Sequence, residues 1–263
     1  MAMGLCLGLW ISVGACQAPP GSTARPGEPP RRSAAERAYH APPRVLSIRP
    51  EVGGLMLIEG LASAGAKVRL ASPKGAAILT TADRDGKWRV SLSRSSEVRL
   101  LGLSMSEAGR VIQSEGYLAI SPTGLAAQLR AGAGASVFIN RLAGLRLLAV
   151  DYDRKGAAVV SGTGPGATPV TVFVDGVRRD QTTTDSRGRF TVALDEPLSP
   201  GVHELGVSGA GLQHGVSVPV TSLALPPVSF DGEQIALGWR IDWVTPGGGV
   251  QTTILADPAA PTR

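Results

Sequence analysis

Residues 45–92 match residues 147–194 without a gap, at a constant offset of 102. Ten of the 48 pairs are identical: Leu46/Leu148, Gly54/Gly156, Gly60/Gly162, Val68/Val170, Thr80/Thr182, Thr81/Thr183, Asp83/Asp185, Gly86/Gly188, Val90/Val192 and Leu92/Leu194. Others are conservative, among them Ile48/Val150, Ile58/Val160, Leu70/Val172, Lys87/Arg189 and Trp88/Phe190. The matches fall on turn glycines and on alternating apolar positions, where a duplicated β unit would hold them. The chain therefore reads as two copies of one small unit, in keeping with a length of 263 residues. Composition agrees. The 34 glycines and 20 prolines argue against a helical bundle, and 43% hydrophobic residues argue against a wholly disordered chain.

Each copy reads as short strands. In the second, Leu147–Val150 is a first strand and Ala158–Ser161 a second. Val170, Val172 and Val174 alternate along a third, as one buried face requires. Asp175-Gly176 is a hairpin turn, followed by Gln181–Thr184. Asp185-Ser186-Arg187-Gly188 then turns the chain into Phe190–Leu194, and His203–Val207 and Val216–Val220 complete the set. Seven such strands with turns every 8–12 residues predict an all-β fold of two antiparallel sandwiches.

These residues carry a resemblance. The runs Val160-Ser-Gly-Thr-Gly-Pro-Gly-Ala-Thr168, Val170-Thr-Val-Phe-Val-Asp-Gly176 and Thr183-Thr-Asp-Ser-Arg-Gly-Arg-Phe-Thr-Val192 resemble the bacterial Ig-like domains of envelope and surface proteins. The first copy is a worn version, with Gly60, Gly65-Ala66, Val68-Arg-Leu70 and Thr81-Ala-Asp-Arg-Asp-Gly-Lys-Trp88. The resemblance implies tandem Ig-like sandwiches over 44–121 and 145–222. It implies no particular activity, because such sandwiches host many unrelated roles.

Two segments fall outside the repeat. Residues 122–144 form a connector, with Leu125–Leu129 read as a helical turn and Ser136–Asn140 as an extra strand. Residues 223–263 form an extension that predicts a β-hairpin. Ile235, Leu237, Trp239, Ile241 and Trp243 take one face, Arg240 and Asp242 the other, and Pro246–Gly249 the turn. One reading has the extension cap the second sandwich and bury its tryptophans. The other makes Trp239, Arg240, Asp242 and Trp243 a partner-binding surface, since tryptophan is favoured at interface hot spots. The ending Gly238-Trp-Arg-Ile-Asp-Trp243 with Pro246-Gly-Gly-Gly-Val-Gln-Thr-Thr253 is similar to endings of alphaproteobacterial envelope proteins.

The N-terminus gives an address. Leu5–Val13 is an apolar run too short to span a bilayer, but it fits the core of a signal peptide. Val13-Gly14-Ala15-Cys16 resembles the lipobox of bacterial lipoproteins, although Met1–Gly4 carry no Lys or Arg. The resemblance implies a signal peptide over 1–15 and a mature chain that begins at a lipidated Cys16, with a membrane anchor through that residue. Gln17 after it implies sorting to the outer membrane. Read without the resemblance, the same segment is a secretory signal cleaved after Ala15 or a buried N-terminal strand. Residues 16–43 are rich in Pro, Ala and Arg and read as a disordered tether. Residues 17–50 hold six Arg against two Glu, so most of the formal net charge of +5 lies there. That charge reads as a solvated spacer or as a contact with anionic headgroups. Nucleic acid is not an expected partner, because the basic stretch has little aromatic interleaving and the expected address is extracytoplasmic.

Motifs of catalysis are missing from the sequence. Both cysteines, Cys6 and Cys16, lie in the signal region, which leaves no disulfide or thiolate site further on. His40, His203 and His214 have no metal-ligand spacing, and neither a G-x-S-x-G elbow nor a phosphate-binding loop is present. Asp83-Arg84-Asp85-Gly86 resembles the start of a calcium loop, but Lys87, Trp88 and Arg89 follow it and Arg187 replaces Asp85 in the second copy. A β-turn explains both copies. Asp151 and Asp153 around Tyr152 read as a strand end before a turn at Lys155-Gly156. No cofactor or metal is expected. The expected function is a non-enzymatic envelope lipoprotein, a structural, adhesive or protein-binding module of an outer-membrane assembly. The alternative is a carbohydrate-binding module for peptidoglycan or surface polysaccharide. Buried Trp239 and Trp243 favour a spacer, and an exposed flat pair favours sugar or partner binding.

Overall fold

A computed structural model describes residues 40–73, 75, 77–139, 143–222 and 229–258. Cys16, the signal segment and the tether up to residue 39 lie outside the described residues, as does Asn140. The described residues contain β-strands and one 3-10 turn, at Val52–Gly54, and no α-helix.

The first copy runs through β1 (Arg44–Pro50), β2 (Leu55–Leu61), β3 (Lys67–Ala71), β4 (Ile78–Thr81), β5 (Lys87–Ser93), β6 (Arg99–Glu107), β7 (Arg110–Gln113) and β8 (Tyr117–Ile120). The connector supplies β9 (Ala126–Leu129) and β10 (Ser136–Val137). The second copy runs through β11 (Arg146–Asp153), β12 (Ala158–Thr163), β13 (Pro169–Val174), β14 (Val177–Thr183), β15 (Arg189–Ala193), β16 (Gly201–Gly209) and β17 (Leu212–Val220). The extension adds β18 (Phe230–Ile235), β19 (Gly238–Val244) and β20 (Val250–Ala256).

Both copies are antiparallel Ig-like sandwiches of the same strand order. In the second, β15-β12-β11 face β14-β13-β16-β17; in the first, β5-β2-β1 face β4-β3-β6 with β7 and β8 beside β6. The fourth strand pairs with the third rather than the fifth in each. Alternation builds the cores. Trp88, Val90 and Leu92 of β5 point inward between exposed Lys87, Arg89 and Ser91, as Phe190 and Val192 do on β15.

The offset of 102 is visible down to single atoms. Leu46 and Leu148 are each the residue skipped where β1 pairs β2 and β11 pairs β12, so each marks a β-bulge. A Cβ on Gly60 would stand 2.2 Å from the Trp88 ring and 2.3 Å from the Arg44 carbonyl oxygen. On Gly162 it would stand 2.5 Å from the Phe190 ring and 2.1 Å from the Arg146 carbonyl oxygen. Both glycines are required because an aromatic ring lies directly on the backbone. The turns at Ala108-Gly109 and Ala210-Gly211 also match, with positive φ at all four residues.

The segments outside the repeat differ from the sequence expectation. Leu125–Leu129 is not a helical turn: Ala126–Leu129 is β9, paired with β8. Its alanines and leucine fill an apolar layer, and that burial outweighs the helix propensity of alanine. The extension is a three-stranded meander, not a single hairpin. Ile235 pairs with Gly238 around a two-residue turn that contains Leu237. Ile235 and Leu237 therefore pack on the core of the second sandwich, while Trp239, Ile241 and Trp243 face the other way. The turn at residues 245–249 forms as expected, with Gly248 at positive φ. β20 pairs with β11, so the second copy's inner sheet grows to β15-β12-β11-β20-β19-β18.

Candidate functional site

Along β11 and β20 the extended sheet buries both its faces. Val250, Ile254 and Ala256 of β20 and Val150 and Tyr152 of β11 close the core of the second sandwich. On the opposite face Ala149, Leu255, Trp239, Ile241 and Trp243 meet Val98, Leu100, Ala119, Ala127 and Leu129 of the first. This apolar layer joins the two sandwiches. β20 is buried at all seven residues because it lies between two cores, and its polar Gln251, Thr252 and Thr253 are hydrogen-bonded.

Trp239 is 8% exposed and Trp243 is fully buried. The Tyr117 ring meets Trp243 edge to face at 5.8 Å, a favoured aromatic geometry. Trp243 Nε1 donates to Thr253 Oγ1 at 3.1 Å, and the Thr253 hydroxyl donates to Asp151 Oδ1 at 2.5 Å. The Ala135 amide of the connector donates to Asp151 Oδ2 at 2.8 Å. A polar chain thus crosses the apolar layer from the extension to the connector. Burial pushes the Asp151 carboxyl up to about 6, against the bonds from Thr253 and Ala135 and the charge of Arg130.

Arg240 and Asp242 lie on the other face of β19. Arg240 bridges Asp242 at 2.9 Å and Glu233 at 3.6 Å, and the Thr252 hydroxyl donates to Asp242. The four residues singled out in the sequence therefore do not share one surface. The tryptophans lie in the layer between the sandwiches, and the charged pair lies behind them. Asp151, Thr253 and Ala135 were missed. No sequence signal marks them, because the burial of β11 on both faces appears only in the folded chain.

The other polar candidates take part in turns and strand contacts. Asp83 Oδ1 accepts the amides of Asp85 and Lys87, both at 2.9 Å; Asp185 Oδ1 accepts those of Arg187 and Arg189, both at 2.8 Å. The same local turn serves both copies, as the turn reading expects. Asp153 does likewise for Lys155 and Ala157. His203 bonds Asp175 at 2.8 Å, which raises its pKa, and His214 Nδ1 accepts the Leu147 amide at 3.3 Å. His40 lies 2.8 Å from Glu107. Among the described residues no group of three or more His, Cys, Asp or Glu is arranged to hold a metal ion.

No family model matches the chain, and no curated protein matches it. Among solved structures it is similar to the BSP domain of a biofilm-associated protein, at 15% identity and a TM-score of 0.24 over 71% of this chain. The chain spans 30% of that structure's length. A Ca2+-stabilized adhesin of an Antarctic bacterium gives 15% identity and a TM-score of 0.24, over 86% of this chain and 72% of the adhesin chain. The central fibronectin-III array of RIM-binding protein gives 14% and 0.27, over 80% and 74%. The fold class rests on the strand order above: a joined pair of Ig-like β-sandwiches.

Proposed function

We propose that the chain is a non-enzymatic cell-envelope lipoprotein of the outer membrane, a structural and protein-binding module anchored through a lipidated Cys16. The observation that carries this reading is the apolar layer between the sandwiches. It uses Trp239 and Trp243 to make two modules into one stiff body, as a spacer that presents contact surfaces away from its anchor requires. The lipobox-like Val13–Cys16 and the Pro/Arg-rich tether support the address. Metabolic labelling with an alkyne fatty acid, followed by membrane fractionation, tests it. The wild type is expected to carry the label and band with the outer membrane, and Cys16→Ala to lose both. An unlabelled, soluble wild-type protein would contradict the reading.

One feature favours the second reading, a carbohydrate-binding module. Phe173 stands half-buried on the outer sheet of the second sandwich beside Gly206 and Gly215, over a shallow groove of about 400 Å³. A sugar ring could lie on such a glycine-floored aromatic. Sedimentation with purified sacculi separates the readings: pelleting that Phe173→Ala abolishes would favour the polysaccharide.

A further inference from the structure

A second concavity lies where the two sandwiches meet, a cleft of about 970 Å³. Its walls combine Leu46, Val137 and Phe138 with Arg44, Arg187 and Arg189, and among the described residues no acidic side chain lines it. Arg44 belongs to the basic stretch 17–50, and Arg187 and Arg189 join it from a remainder that is nearly balanced in charge. Asp185 holds Arg189 at 3.2 Å. Neither Arg44 nor Arg187 has a side-chain partner among the described residues.

The duplication shows that these features are additions rather than requirements of the fold. The turn that carries Arg187 is built by Asp185 in the way Asp83 builds its counterpart, where Asp85 stands instead. The turn is unchanged and its outward charge is reversed. Leu46 gives the same comparison in the other direction. Its counterpart Leu148 is 2% exposed, beside the connector residues Ala135–Val137, whereas Leu46 is 53% exposed and faces the cleft. A bulge leucine that is covered in one copy stands open in the other, in the cleft that Arg44 and Arg187 line.

We propose that this cleft binds an extended acidic peptide of a partner protein, with carboxylates on Arg44, Arg187 and Arg189 and alternate apolar side chains on Leu46, Val137 and Phe138. An extended chain places successive side chains on opposite sides, so a peptide in which acidic and apolar residues alternate presents both kinds of group to a lining that mixes arginines with Leu46, Val137 and Phe138. Guanidinium groups favour carboxylates through paired hydrogen bonds. β10 is the last strand of its sheet, and its outer edge has no strand partner among the described residues, so it offers backbone groups to a peptide. The proposal names the partner class for the protein-binding reading above and rests on it.

The test selects phage-displayed short random peptides on the purified full chain, on Arg187→Asp and on Leu46→Ser. Both positions are exposed, and matching melting temperatures establish that the variants are folded. The wild type is expected to enrich peptides in which Asp or Glu alternates with apolar residues. Each substitution is expected to weaken a selected peptide by about tenfold. Peptides without acidic bias, or equal binding to wild type and variants, would overturn the proposal. So would binding of oligogalacturonate that Arg187→Asp abolishes without any enriched acidic peptide, which would assign the cleft to an anionic polysaccharide. The Cys16 anchor plays no part in this selection, so a failed cleft leaves the envelope reading standing, and a failed anchor leaves the cleft result intact.

Discussion

Asp151 is an ionisable side chain with no exposure, held at the meeting of the two sandwiches by Thr253 and the Ala135 amide. Its folded pKa of about 6 lies above the ordinary 3.8, so the folded chain holds the proton more tightly than the unfolded chain. Stability from this group is therefore full below about pH 4 and is lost as pH rises to about 6, a cost on the order of 3 kcal/mol at neutrality. Asp151→Asn keeps the shape without the charge. It is expected to raise stability by roughly 2 kcal/mol near pH 7.5 and by little near pH 4. Thermal melts at both pH values check this, and an equal effect at the two would contradict it. Gly162 gives the opposite case. A methyl group there meets the Arg146 carbonyl and the Phe190 ring, so Gly162→Ala is expected to cost about 3 kcal/mol in urea unfolding. That glycine was legible, because it recurs at Gly60 before an aromatic in both copies. Asp151 was not. An aspartate beside Tyr152 looks like a strand end, and Asp153 two residues later does fill that role.

The strands of the repeat could be read because each has one buried and one wet face, so period two survives in the sequence. The extension also alternates, and the hairpin turn at residues 245–249 could be placed from Pro246–Gly249. Periodicity could not tell which core each residue enters. The turn at Ala236-Leu237 is marked only by Gly238 at its end, inside a run that alternates in the sequence, so Ile235 and Leu237 were grouped with tryptophans that face another core. Nor does a run such as Ala126-Ala-Gln-Leu129 declare itself a strand, since its burial comes from a sandwich about a hundred residues away. At this scale the apolar layer is the prediction. Trp243→Ala removes a fully buried ring and its bond to Thr253, and is expected to cost about 3–5 kcal/mol. Equilibrium unfolding should then split into two steps as the sandwiches part. A single, barely shifted transition would mean that the layer contributes little.

At the scale of the whole molecule, the duplication and the class of fold were open to sequence reasoning, and the union of the copies was open only in part. Leu100-Leu101 is apolar on both faces of its strand, which points to a neighbour for the first copy without giving the surface, since Leu101 enters its own core and Leu100 the layer between the sandwiches. The third apolar layer makes them one body, with β8 to β10 of the first sandwich facing the sheet that β18 to β20 extend in the second. The most direct test is the distance distribution between spin labels on Val111→Cys and Val177→Cys, exposed sites on the two sandwiches, in a chain with Cys6→Ser and Cys16→Ser. No other cysteine competes for the label. A joined body requires one narrow distance that broadens when Trp243→Ala is added. A broad distribution in the protein with its tryptophans intact would contradict the account.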